Sequence, residues 1–419
     1  MNKSKDQIFV QIASYRDPEL IPTIKDCLAK AKYPERLTFG ICWQYDNSEP
    51  INEFDDSPQF KVSKHHYTTS EGLGWARSIT NKLYSNEKYT LQIDSHHRFV
   101  QDWDVLVEED YKQALTVSAK PIITTYCTPF DPTTPEDTWN KVPCLMSQYE
   151  FSDDKLLMSM PWYIQDYKDR KHVIRARTIS GHFYFTAGKF IQEVPYDPDI
   201  YFGGYTEETS LSVRAFTKGY DFFSPYRMIM WHEYTRNYRV KHWEDHGVKS
   251  ETKKTSGERD VLARNKTRQL FGTEDYGLDL GIYGLGNERT LHDYEVYGGF
   301  DFKKCIIQEY TLKVEEPPNP INWEDQFTTS KYDIACEWDV DFFKKHNFKK
   351  PKFLTLGVQT KSGVELHRKD FTIENEPHYV NLQSNHYSIT INSMDKPDKI
   401  VMYLFDEEKQ WSEMYQKTI

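Results

Sequence analysis

Between Ile8 and Asp94 the chain alternates two kinds of apolar pattern, and this alternation restricts the fold more than any other feature. "IFVQIAS" is a short apolar run of the kind a strand buried on both faces requires. Leu20, Ile24, Cys27, Leu28 and Ala31 then recur at helical spacing. Leu37, Phe39, Ile41 and Trp43 of "LTFGICW" fall on one face of a second strand, and "FKVSKHHY" reads as a third. "GLGWARSITNKLYS" sets Ala76, Ile79 and Leu83 on one helical stripe, and "YTLQID" follows as another strand. The order βαββαβ predicts an open α/β sheet whose functional residues gather at the carboxyl ends of its strands.

The last of these strands ends in "LQIDSHHRFVQDWD". Leu91 and Ile93 share one face, and a loosely continuing strand projects Asp94 and His96 to the other. A carboxylate and an imidazole so placed can chelate one divalent ion, with positions left for a third ligand and for phosphate oxygens. Mixed oxygen and nitrogen ligation suits Mn²⁺ or another first-row metal better than Ca²⁺. The same residues also fit a plainer arrangement in which Asp94 caps a turn and His96 or His97 packs or faces solvent. A motif this short does not choose between them. Just upstream, "SEGLGWAR" opens the helix that feeds this strand. Gly72 and Gly74 would let backbone amides approach an anion there, and Arg77 could reach the same ligand. Amides, an arginine and a candidate metal pair at one sheet edge suit a diphosphate.

Further along, "PIITTYC", "GHFYFT" and "MIMWHEY" read as strands and "EETSLSVRAFTKG" as a helix, with proline-rich loops between. Residues 241–300 read as loop and helix, and their glycines lack the GxGxxG spacing of a phosphate-binding turn. "EEPPNPINWED" marks a boundary. The short alternating runs beyond it predict a small antiparallel β-sandwich that begins as early as "CIIQEYTLKV". The expected division is therefore 1–304, with a nucleotide half of about 6–104 and an acceptor half of about 105–304, followed by a β-rich domain over 305–419.

The net charge of −11 gives no general support for a nucleic-acid or anionic-membrane partner. The N-terminus lacks a signal-peptide core and no run approaches a membrane span. Six cysteines without CxxC spacing read as buried free thiols, which implies a reducing, cytoplasmic setting.

The stretch "SEGLGWARSITNKLYSNEKYTLQIDSHHRFVQDWD" resembles the donor-binding core of the GlcNAc-transferases whose eukaryotic members modify hydroxyproline of a cytoplasmic ubiquitin-ligase subunit. More distantly it is similar to the polypeptide GalNAc-transferases. Separate blocks extend the resemblance over residues 6 to 300: "IFVQIASYRDPEL", "EVPYDPDIYFGGYTEETSLSVRAFTKGYDFFSP", "WHEYTRNYR" and "HWEDH". It implies a GT-A fold, Rossmann-like with a mixed sheet, and a UDP-sugar donor. Asp94 and His96 look like the DxH metal ligands and His232 the third. Ser14, Arg16 and Asp17 become candidates for the uridine side, although Arg16 and Asp17 also fit a local salt bridge. Gly74, Trp75 and Arg77 would attend the diphosphate, and Gly181 and His182 the donor sugar.

Glu207 and Glu208 match an acidic block in which one residue binds a sugar or acceptor hydroxyl, although acids at a helix start are also ordinary dipole partners. Thr206 stands where family members have glycine, and Gly203 and Gly204 would compensate. "HWEDH" suggests a lid with Trp243 stacking on a ligand.

The expected activity is metal-dependent, retaining transfer of N-acetylglucosamine, or a close N-acetylhexosamine, to a hydroxyl acceptor on a protein. The same chemistry on a surface polysaccharide and a non-catalytic carbohydrate-binding role are the rivals. A metal-dependent hydrolase is disfavoured because HExxH is missing.

Overall fold

A computed structural model describes residues 6–201, 206–248, 254–326, 330–393 and 395–419. The chain divides into two compact units, residues 1–321 and 322–419.

In the first unit, β1 (Ile8–Tyr15), α1 (Leu20–Lys30), β2 (Leu37–Tyr45), β3 (Phe60–His66), α2 (Leu73–Lys82) and β4 (Tyr89–Ile93) follow the alternation of the sequence. Then come β5 (His97–Phe99), α3 (Trp103–Ala114), β6 (Pro121–Thr124), β7 (Thr128–Pro129) and the hairpin β8 (Cys144–Phe151) with β9 (Leu157–Tyr163). They are followed by β10 (Ile174–Ala176), β11 (Phe183–Ala187), α4 (Phe190–Glu193), α5 (Thr206–Thr217), β12 (Asp221–Ser224), β13 (Met230–His232), α6 (His242–Asp245) and α7 (Ser256–Leu270).

Eight strands form one mixed sheet in the order β10-β12-β6-β11-β4-β1-β2-β3. β3, β2, β1 and β4 run parallel, and β11 joins β4 antiparallel. This is the expected Rossmann-like, mixed α/β architecture. Each residue of β4 is buried, as a strand covered on both faces must be. Ile8, Val10 and Ile12 pack with Leu20, Ile24 and Cys27 of α1 and with Trp103 and Val107 of α3. A second core gathers Tyr184, Leu211, Phe216 and Tyr294 around α5. β13 lies outside the main sheet, between β5 and β7.

The first unit runs on past residue 304 to Ile321. Arg177 holds this segment, its Nη1 donating to Glu315 O at 2.8 Å and its Nη2 to Asn319 Oδ1 at 2.7 Å. The turn-rich sequence after 304 hides that attachment. The second unit is β-rich, as expected, with a five-stranded sheet ordered around Pro351–Gln359 and Lys399–Asp406. Ser330–Glu337 pairs antiparallel with His386–Ser393 in a separate ladder. Leu354, Leu356, Phe371, Met402 and Leu404 form its core together with Cys336 and Phe343.

All six cysteines are free, and five of them are buried. Among the described residues no helix is long and apolar enough to cross a membrane.

Candidate active site

A cavity of about 490 Å³ opens where β1 and β4 end, bounded by the starts of α2 and α5 and by the loop after β13. The first strands therefore deliver side chains to the edge that parallel α/β topology favours.

β4 stops at Ile93, and residues 94–96 bend before β5 begins, instead of continuing as a loose strand. Thr23 of α1 pins this bend: its Oγ1 donates toward Ser95 O at 2.9 Å and His97 O at 3.1 Å, and accepts His97 N–H at 2.9 Å. The bend still brings Asp94 and His96 together, with Asp94 Oδ2 3.6 Å from His96 Nε2. β13 supplies His232, whose Nε2 lies 3.3 Å from the same oxygen. Antiparallel pairing with β5 sets His232 opposite His97 and so beside the bend.

One ligand atom from each of Asp94, His96 and His232 falls within 4.8 Å of the others. His96 Nε2 is buried without a hydrogen-bond partner. Asp17 lies behind it, its Oδ2 2.7 Å from His96 Nδ1 and 2.6 Å from Ser95 Oγ. A carboxylate on one ring nitrogen aims the other nitrogen, the arrangement found behind metal-bound histidines. One carboxylate oxygen and two imidazole nitrogens fit a first-row divalent cation. Burial opposes ionisation of Asp94, but the His232 contact and the charge of Arg77 outweigh it and hold the carboxyl well below the usual range.

Arg77 sits beneath this group and is 0 % exposed. Nη1 donates to Ile93 O at 2.7 Å, and Nη2 to Asp94 Oδ1 at 2.5 Å and Gly181 O at 3.2 Å. It braces Asp94 and Gly181 from below and does not line the cavity.

Gly181 lines the cavity at the point where two glutamates from the first turn of α5 arrive. A Cβ on Gly181 would stand 2.7 Å from Glu207 Oε2, so any larger residue there must displace that carboxylate. Tyr196 donates to Glu207 Oε1 at 2.6 Å, while Glu208 receives Tyr126 Oη–H at 2.5 Å and Gly181 N–H at 3.0 Å. Burial raises both acids above the usual carboxyl range, Glu208 to about 7 despite those two donors. His182 also lines the cavity, and its ring stacks on His232 with centroids 4.3 Å apart.

The remaining sequence candidates lie away from the cavity surface. Ser14 is fully buried, and its carbonyl accepts Gln44 Nε2–H at 2.9 Å. Gly74 is an approach point between backbones, since a Cβ there would collide with Ile200 O. Trp75 turns to the opposite side of α2, edge-on to His65 at 5.0 Å. Arg16 pairs with Asp245 at 2.8 Å and Asp46 at 3.2 Å, so it joins the end of β1 to α6. Gly203 and Gly204 lie outside the described residues.

Sequence reasoning missed the cations of the loop after β13. Arg236, Arg239 and Lys241 all line the cavity beside the metal-type cluster. Arg236 Nη2 stands 3.8 Å from Asp94 Oδ2, and Arg239 Nε 3.3 Å from Asp17 Oδ2. The signal was present in "YTRNYRVKH", three cations within six residues shortly after His232. Trp243 follows them on the cavity wall, 41 % exposed. The "HWEDH" segment is tied down by Tyr15 Oη–H to Asp245 at 2.6 Å and by His242 Nδ1 and Tyr201 Oη at 2.8 Å.

A model of the family described as "Glycosyltransferase (GlcNAc)" matches residues 7–62 and 52–304. No curated protein matches the chain. Among solved structures, one described as GalNAc-T7 with UDP, GalNAc and Mn2+ aligns at 14% identity and TM-score 0.44. That alignment covers 73% of this chain and 56% of the other, so this chain spans little more than half its length. TarS 1-349 of S. aureus in complex with UDP-GlcNAc aligns at 11% identity and TM-score 0.35, covering 65% of this chain and 77% of that one. Full TarS aligns at 8% identity and TM-score 0.34, covering 98% and 77%.

Proposed function

We propose a reaction for this chain, which belongs to the GlcNAc glycosyltransferase family: transfer of N-acetylglucosamine, or a close N-acetylhexosamine, from a UDP-sugar to a hydroxyl of a protein or glycan, with a divalent cation such as Mn²⁺. The observation that carries it is the meeting of the Asp94, His96 and His232 cluster with Arg236, Arg239 and Lys241 around one cavity. A diphosphate needs that combination, whereas binding of an uncharged glycan does not.

Asp94, His96 and His232 would hold the cation, which when bound neutralises charge gathering on the departing diphosphate. Arg236, Arg239 and Lys241 add fixed positive charge on the same side. Arg77 acts through Asp94 and Gly181, which it locks in place. Gly181 and His182 face the sugar, and Glu207 or Glu208 accepts a hydrogen bond from a sugar or acceptor hydroxyl. Transfer proceeds with retention, giving an α-linked product. The bond from the anomeric carbon to the β-phosphate oxygen breaks, the acceptor oxygen bonds to that carbon on the same face, and its proton passes to the β-phosphate. No protein nucleophile is required.

UDP release from UDP-GlcNAc and UDP-GalNAc, with Mn²⁺ and with chelator, tests the reading. Release is expected with the cation and is lost in the folded fraction of Asp94→Ala, measured by circular dichroism because the change also strands the buried Arg77. A purified protein that releases no UDP from either donor, or an Asp94→Ala variant with normal turnover, overturns it.

A further inference from the structure

The two candidate imidazole ligands differ in how they are backed. His96 has a carboxylate on its Nδ1, at 2.7 Å from Asp17 Oδ2. His232 presents Nε2 toward Asp94, and its Nδ1 is buried with no hydrogen-bond partner. An imidazole that gives Nε2 to a metal carries its proton on Nδ1, and a buried N–H left without an acceptor is costly. Histidine ligands as a rule direct that second N–H to an acceptor which fixes ring orientation.

Four rings lie against His232: His96, His97, His182 and Tyr234. His96 is the other candidate ligand, and the Tyr234 hydroxyl donates to Cys127 O at 2.7 Å. His182 has no acceptor to spare: its Nε2 accepts the backbone N–H of Cys127 at 3.0 Å, and its Nδ1 lies 3.2 Å from Ser180 Oγ. It stacks on His232 with an interplanar angle of 26° and acts as a wall. His97 is different. Its Nδ1 is 2.8 Å from Trp231 O, and a carbonyl can only accept, so the proton is on Nδ1. The neutral ring then keeps a lone pair on Nε2, which is also buried and without a partner. The His97 and His232 rings are 4.8 Å apart between centroids at 59°, and the two residues are direct partners across the β5–β13 pair.

We propose that His97 is a positioning residue for the metal centre: its Nε2 and His232 Nδ1, not bonded to each other in this structure, pair as acceptor and donor when His232 Nε2 holds the cation, and so fix the ligand ring. This rests on the metal-dependent reading above. Asp17 and His97 would then be paired devices, one behind each imidazole, the first a carboxylate and the second a ring whose free nitrogen is selected by a backbone carbonyl.

The test is Mn²⁺ affinity of the full chain, measured by electron paramagnetic resonance of the free ion, in wild type, His97→Phe and His97→Gln. Phenylalanine fills the site without an acceptor, whereas glutamine restores a carbonyl oxygen. The expected result is about 10- to 100-fold weaker Mn²⁺ binding in His97→Phe, with most of the loss recovered in His97→Gln. Unchanged affinity in a folded His97→Phe overturns the proposal, as does equal loss in both variants. Should the variants not fold, ¹⁵N-histidine spectra of the wild-type Zn²⁺ adduct decide instead. A lone-pair nitrogen at His97 Nε2 with a proton on His232 Nδ1 supports it, and a proton on His97 Nε2 overturns it. A wild-type chain that binds no Mn²⁺ removes the metal reading itself, a result distinct from failure of the His97 role.

Discussion

Replacing Arg77 by leucine removes a guanidinium that is 0 % exposed while leaving its partners in place. Ile93 O and Gly181 O each lose this donor, and Asp94 Oδ1 loses a contact of 2.5 Å. Breaking a buried charge pair by deleting one member costs about 3–5 kcal/mol. The Asp94 side chain is 19 % exposed, so water recovers part of that loss, and Gln92 still donates to Gly181 O at 2.7 Å. The lower end, about 3 kcal/mol, is therefore expected, which is on the order of a hundredfold in the folding equilibrium. Urea unfolding of the full chain, followed by tryptophan fluorescence, measures it beside steady-state UDP release. Arg77→Lys should recover little, because a single ammonium cannot reproduce the fork that spans two carbonyls and a carboxylate. If Arg77→Leu leaves the unfolding free energy unchanged and raises only the KM for the donor, the brace is wrong and the guanidinium touches the donor.

Glu208 carries a pH signature. Burial holds its proton up to about 7 in the folded chain, whereas an unfolded glutamate releases it near about 4.3. Between those values the folded state binds more protons, so the Glu208 contribution to stability falls as pH rises through that window. Glu208→Gln should flatten that part of the melting-temperature profile, and an unaltered slope counts against a buried, protonated Glu208. Gly181→Ala places a methyl 2.7 Å from Glu207 Oε2, on a carboxylate whose other oxygen, Oε1, accepts Tyr196 Oη–H at 2.6 Å. A cost of about 1–3 kcal/mol in calorimetry is expected, with UDP release reduced well beyond what the lost folded fraction explains. Residues 1–321 form one compact unit with two apolar cores and, expressed alone, should fold and release UDP at the rate of the full chain; aggregation or loss of release refutes this.

The parallel half of the sheet was legible because strands buried on both faces must be continuously apolar and helices between them must carry stripes. The convergence of Asp94 and His96 was also readable, but its mechanism was not: a side chain 72 residues away in sequence, Thr23, fixes the bend. Periodicity has no access to such contacts. The same limit explains Arg77. Its position one turn into a glycine-led helix suggests a hand reaching for an anion, and only the folded chain, which sets Ile93 O and Gly181 O around the guanidinium, shows that it points inward. Asp17 could be placed near the first strand's end, but its pairing with His96 depends on how α1 crosses the edge. Arg236, Arg239 and Lys241 were hidden for another reason. They lie in an irregular loop, where sequence patterns carry no direction, so three cations within six residues gave no sign that they face one cavity.

The short β5–β13 pair has a consequence for how genes of this kind can vary. Side chains alternate along a strand, so sliding Met230–His232 by one residue would set Trp231 opposite His97 and turn His232 to the far face. A single-codon insertion or deletion between Ile229, whose carbonyl accepts Val100 N–H at 3.0 Å, and His232 would therefore disable the centre without touching a ligand. Length differences among homologous genes should therefore be nearly absent from Ile229 to His232.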